Sequence, residues 1–146
     1  MPRRILVPID DADHSTKALD HAVAVHGDAT LVLCHVVDPT RWISSGDEEE
    51  LEPFYSKELE KSARARSDDL LAEAAERVRE AGVDVETVQL IGGPARSILG
   101  YLEDEGDDVD QVVMGSHGRT GLGRMLMGSV AERVTRRSPV PVTVVR

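Results

Sequence analysis

The 146-residue sequence holds one cysteine, three lysines (Lys17, Lys57 and Lys61) and no run of apolar residues longer than four. Each scarcity excludes something. A lone cysteine forms no internal disulfide, and Cys34 sits in the apolar run Leu31-Val32-Leu33-Cys34, where it reads as a small buried hydrophobe. A membrane-spanning helix needs about 20 apolar residues in succession, so none is expected. At the N-terminus only Ile5-Leu6-Val7 separate two arginines from Pro8 and the acids beyond it, too little for a signal peptide. The expected location is cytoplasmic. No stretch is strongly basic, and 17 Lys+Arg against 27 Asp+Glu give a net charge of −10, which argues against a nucleic-acid partner.

Self-repulsion at that charge is tolerable where salt screens it, so the acidic, lysine-poor surface suits a high-salt cytoplasm. The expected result is a melting temperature that rises between low and molar KCl; a flat response contradicts salt adaptation. The length fits one domain over 1–146, large enough to bury roughly two-thirds of its unfolded surface.

Hydrophobic patterning then orders the chain. Ile5 to Asp10 and Thr30 to Val37 read as buried strands. Between them, Asp13-His14-Ser15 offers capping side chains, and Ala18, Leu19, Ala22 and Val23 recur at helical spacing before Gly27. Residues 38–56 lose periodicity and carry the acidic run Asp47 to Glu50, as a solvated connection would. A long helix is predicted from about Ser56, through Leu59, Leu70 and Val78, to a left-handed stop at Gly82. Val83 to Ile91 reads as a third strand, and Pro94 opens a third helix with Ala95, Ile98, Leu99 and Leu102 on one face. Val109 to Met114, Ser129 to Arg137 and Val140 to Val145 read as strand, helix and strand. Five strands alternating with four helices imply an α/β fold, an open parallel sheet covered on both faces.

The chemistry concentrates between the fourth strand and the fourth helix. Gly115 to Gly128 holds five glycines in fourteen residues. Glycine lets backbone approach a ligand and turn successive N–H groups inward, which binds phosphate without lysine. Ser129-Val130-Ala131-Glu132 matches a capping box, so the loop is expected to lead into a helix N-terminus that favours an anion. The loop lacks GxxxxGK[ST], and Leu126 stands where a dinucleotide fingerprint wants its third glycine. Any nucleotide site here uses another geometry.

The pattern Gly115-x2-Gly118-x9-Gly128-Ser129 resembles that of the ATP-binding branch of the universal stress protein (UspA) family. Pro8-Ile9-Asp10, Cys34-His35-Val36-Val37-Asp38 and Pro139-Val140-Pro141-Val142 are similar to that family as well, and only the acidic stretch near 40–56 is unmatched in detail. The resemblance implies a flavodoxin-like three-layer sandwich with strand order 3-2-1-4-5 and a ligand crevice at the switch point between strands one and four. It implies ATP as ligand, with Asp10 accepting a ribose hydroxyl and the backbone of Val36 holding the adenine edge. Asp10 and the glycine loop would flank the crevice, Pro8 and Met114 are further candidate cofactor-binding residues, and Gly115, Gly118, Gly128, Ser129 and Val130 would cradle the phosphates.

Arg119 and Arg124 are extra to that motif; they suit a terminal phosphate as bidentate donors, or they are solvated loop residues. Asp10, Asp11 and Asp13 are candidates to help hold Mg²⁺ through phosphate oxygens and water, with a helix cap the alternative for Asp13. His14, His21 and His26 are spaced seven and five apart, which is no zinc pattern. His117 is the one histidine placed for proton transfer or phosphate contact, with loop shaping the alternative. Ser116 and Ser129 show no activating base in the sequence.

The last strand is an edge in this topology, and both its apolar face and the resemblance point to a homodimer through it. The leading expectation is an ATP-binding stress-response or signalling module. A slow ATPase or phosphotransferase, and a dimeric interaction module with an empty site, are the alternatives.

Overall fold

A computed structural model describes residues 3–10, 13–38, 53–104, 108–117 and 127–146. The elements are β1 (Arg4–Pro8), α1 (Asp13–Val25), β2 (Thr30–Val37), α2 (Pro53–Glu80), β3 (Asp84–Ile91), α3 (Pro94–Asp104), β4 (Gln111–Gly115), α4 (Ser129–Arg137) and β5 (Val142–Val145). The strands form one sheet in the order β3-β2-β1-β4-β5, parallel at every pairing. This is the flavodoxin-like arrangement implied by the resemblance, and the strand order reverses between β1 and β4.

The period of two along each strand splits the core. Ile5, Val7, Leu31 and Leu33 pack against Ala18, Leu19 and Ala22 of α1 and Leu71, Ala75 and Val78 of α2. Leu6, Val32 and Cys34 face the other way, onto Ala95, Ile98 and Leu102 of α3 and Ala131 and Val134 of α4. Both faces of β1 and β2 are covered, which explains their near-continuous apolar runs. Cys34 is wholly buried and its thiol is pushed up to about 12 by desolvation, so it serves as core.

Several boundaries differ from the sequence reading, each for a local reason. Helix α2 begins at Pro53, ahead of Ser56, because proline fits the first helical position without losing a needed N–H. It ends in a paired motif: Gly82, at φ +76°, donates to Arg79 O (2.9 Å), and Val83 donates to Val78 O (3.3 Å). That second bond holds Val83 out of the strand, so β3 starts at Asp84. Strand β4 starts at Gln111 rather than Val109, because Asp110 exchanges bonds with Arg4: its N–H donates to Arg4 O and its carboxylate accepts the Arg4 N–H, both at 2.9 Å. Ser138 captures Val140 through its hydroxyl, donating to Val140 O at 2.7 Å and accepting its N–H at 3.1 Å, which delays β5 to Val142. Residues 39–52, most of the expected acidic connection, lie outside the described residues.

At the amino ends of the strands, His26 follows α1 and is only 7% exposed, and its Nδ1 has no partner among the described residues. Burial, then the charges of Arg3 and His21, hold its pKa below the ordinary 6.5, against the opposing pull of Asp28. The unfolded chain therefore takes a proton near pH 6.5 that the folded chain refuses. This contribution to stability is complete above about pH 6.5 and is lost as pH falls toward the lower folded value. Urea unfolding at pH 7 and pH 5 should show that loss, and His26→Gln should diminish it; an unchanged pH dependence in the variant contradicts the assignment.

Candidate functional site

Asp10 stands just past the carboxyl end of β1. The pairing of β1 with β2 continues to Ile9, whose N–H donates to Cys34 O at 2.8 Å, so the backbone is fixed up to the residue before Asp10. Asp10 itself is half-buried, and its N–H donates to the Ser15 hydroxyl at 2.9 Å. The expected capping role of the Asp13-His14-Ser15 stretch thus takes this form for Ser15: a side chain inside the first turn of α1 reaches back to the strand end.

On the neighbouring strand, Met114 is buried at 4% exposure and Gly115 closes β4 opposite Val145. The backbone of Ser116 then ties three segments together. Its N–H donates to Val145 O at 2.8 Å, and its carbonyl accepts the N–H of Gly128 at 2.6 Å. That last bond brings Ser116 and Gly128 together as a neck. Gly118, Arg119 and Arg124 lie outside the described residues, as do Asp11, Gly121 and Gly123. His117 follows the neck with Nδ1 3.0 Å from the Ser116 hydroxyl.

Gly128 is the N-cap of α4, with extended backbone at φ −71° and ψ 163°, and Ser129 and Val130 form its first turn. The expected capping box is absent. The helix starts one residue earlier than that motif requires, with Gly128 O accepting the Glu132 N–H at 2.9 Å, while the Glu132 carboxylate turns to Arg136 at 2.7 Å. Among the described residues no side chain caps this end. The first-turn donors and the positive end of the helix dipole therefore suit an anion better than a reciprocal box would.

The fold thus brings Pro8, Asp10, Met114, Gly115, Gly128, Ser129 and Val130 to one region, the carboxyl ends of β1 and β4 and the start of α4. Val36 lies one strand further along, on β2, registered against Leu90 of β3 and packed on the α3–α4 side. Electrostatics give the region two unlike sides. A groove of about 590 Å³ between α1 and α2 has Asp10 and Ser15 in its wall together with Glu73, Glu76, Glu80 and a single cation, Arg77, which is paired to Asp20 at 2.7 Å. With four carboxylates to one already paired cation, that wall disfavours a polyphosphate, whereas the α4 end favours one. Among the described residues no cluster of three His, Cys, Asp or Glu side chains can hold a metal ion, and no helix is long and apolar enough to cross a membrane.

Two contacts carry no clear signal in the sequence. The bond from Asp10 to Ser15 has no signature beyond a serine near a helix start. His35 Nδ1 lies 2.7 Å from the hydroxyl of buried Ser67, fastening α2 to β2.

The universal stress protein family model matches residues 1–146. The chain belongs to the universal stress protein family. It is similar to the universal stress protein YxiE of Bacillus subtilis, 36% identical over 151 residues and covering all of both chains. Its fold is similar to universal stress protein UspA from Lactobacillus plantarum, at a TM-score of 0.83 and 27% identity, covering 99% of this chain and 97% of that one. Two more distant members share the fold with a ligand in place. One is a universal stress protein in complex with cAMP (TM-score 0.67, 24% identity, 99% and 97% covered). The other is a family protein from Arabidopsis thaliana with AMP bound (TM-score 0.69, 18% identity, 99% and 91% covered).

Proposed function

We propose that this universal stress protein binds ATP at the β1–β4 switch point and acts as a nucleotide-dependent stress-response or signalling module, one domain over 1–146 in the cytoplasm. The observation that carries the reading is the convergence of Asp10, the Gly115–Ser116 neck and the Gly128-capped start of α4 at that point. A carboxylate on one side and anion-favouring backbone on the other match the two ends of a nucleotide. Adenine nucleotides in the two distant family members support the class of ligand. Asp10 would accept a ribose hydroxyl, the Val36 backbone would meet the adenine, and Gly115, Gly118, Gly128, Ser129 and Val130 would surround the phosphates. Arg119 and Arg124 are proposed donors to the terminal phosphate. Mg²⁺, when bound, would neutralise phosphate charge through phosphate oxygens and water.

The test is calorimetric titration of ATP with Mg²⁺ into the wild type and Gly128→Val. Any residue adopts the extended backbone of Gly128, so the variant should fold, and its side chain would crowd the approach to α4. The reading expects wild-type binding and at least about a tenfold loss in the variant, ~1.4 kcal/mol. Equal affinities overturn the phosphate assignment.

The reading includes a homodimer through β5, an edge strand paired only with β4 among the described residues. Sedimentation of Val142→Pro should show monomer; a dimer that persists contradicts this interface.

A further inference from the structure

We propose that Ser15 is a positioning residue for nucleotide binding: its hydroxyl holds the Asp10 backbone so that the Asp10 carboxylate faces the ribose. This rests on the ATP reading of the site and adds to it a residue that would touch no ligand. Three observations carry it. The Asp10 N–H donates to Ser15 Oγ at 2.9 Å, while Ile9 is already fixed to Cys34. Asp10 is therefore the first residue beyond the sheet ladder, and the Ser15 hydroxyl takes over where the ladder ends. Ser15 is only 6% exposed, so its rotamer is set by packing rather than by water. It also sits in the first turn of α1, whose Ala18, Leu19 and Ala22 are embedded in the core, so the hydroxyl refers Asp10 to a rigid element.

Removal of the hydroxyl leaves the Asp10 N–H without that acceptor, and the strand end then turns toward water or another partner. The carboxylate moves with it. A hydrogen bond to a ribose hydroxyl needs its acceptor within a few tenths of an ångström, whereas contacts at the α4 end depend on a different strand. The expected signature is therefore selective loss of ribose recognition, with phosphate recognition retained.

The experiment compares ATP with 2′,3′-dideoxy-ATP, which lacks both ribose hydroxyls, by calorimetric titration of the wild type, Ser15→Ala, Ser15→Thr and Asp10→Ala. The wild type should prefer ATP by about tenfold or more. Asp10→Ala should remove that preference, and Ser15→Ala should cut it at least threefold with unchanged affinity for the dideoxy compound. Ser15→Thr keeps an acceptor hydroxyl and should restore it; it also serves if the alanine variant does not fold. A Ser15→Ala preference equal to wild type, or an equal loss for both nucleotides, overturns the positioning role and leaves the ATP reading intact. A Ser15→Thr preference as low as that of Asp10→Ala overturns it too. A wild type that binds neither nucleotide overturns the ATP reading, and this inference with it.

Discussion

Asp10→Ala is expected to weaken ATP binding by about 10- to 100-fold. A hydrogen bond to an ionised group is worth roughly 1.5–3 kcal/mol, and each 1.4 kcal/mol is a factor of ten in affinity. The proposed bond joins the Asp10 carboxylate to a neutral ribose hydroxyl in a half-buried setting, so the full range applies. Alanine keeps the backbone N–H that Ser15 accepts, so the strand end should persist and the thermal transition should remain cooperative. Calorimetric titration with ATP checks the outcome. Affinity within twofold of wild type contradicts the role given to Asp10.

Leu33→Ala should produce the opposite pattern. Leu33 is wholly buried in β2, registered between Val7 of β1 and Thr87 of β3, and packs in the cluster formed with α1 and α2. Truncation of a buried leucine costs about 2–5 kcal/mol through lost transfer energy and the cavity left behind. Domains of this kind have only roughly 5–15 kcal/mol in total, so the urea midpoint should fall steeply. ATP affinity measured where the variant is still folded should hardly change, because Leu33 faces the α1–α2 side while Val36 and α4 lie on the other. A stability loss below about 1 kcal/mol would indicate that the site collapses around the missing atoms.

The contrast between these variants follows a division that the sequence partly shows. The apolar runs at Ile5–Val7 and Leu31–Cys34 read as buried strands because both sheet faces are covered there. Gly82 and Pro94 mark a helix end and a helix start in the sequence itself, because a positive φ and a missing N–H are properties of single residues. The sheet order is implied by the family resemblance alone, since alternation of strands and helices gives a parallel sheet without saying which strand neighbours which.

Cooperative contacts were less legible. The Ser129–Glu132 spacing suggests a capping box, but Gly128 O opens the helix one residue earlier and Arg136 draws the glutamate away. The competition between a local motif and an i,i+4 ion pair is settled only by the three-dimensional start of the helix. Strand β5 was shortened by Ser138, whose hydroxyl satisfies Val140 locally, an option that an alternating valine pattern does not reveal. The Asp10 to Ser15 contact depends on the angle at which α1 leaves β1, so serine at position 15 alone reads as a cap.

The central claim is that nucleotide occupies the β1–β4 switch point, and its most direct measurement is gentle purification of the whole chain at high KCl. Acid release and mass identification of bound nucleotide should follow, together with titration of ATP and Mg²⁺ into the emptied protein. The account predicts ATP at about one per chain, or saturable ATP binding at that stoichiometry by the emptied protein. A protein that carries no nucleotide and ignores added ATP contradicts it.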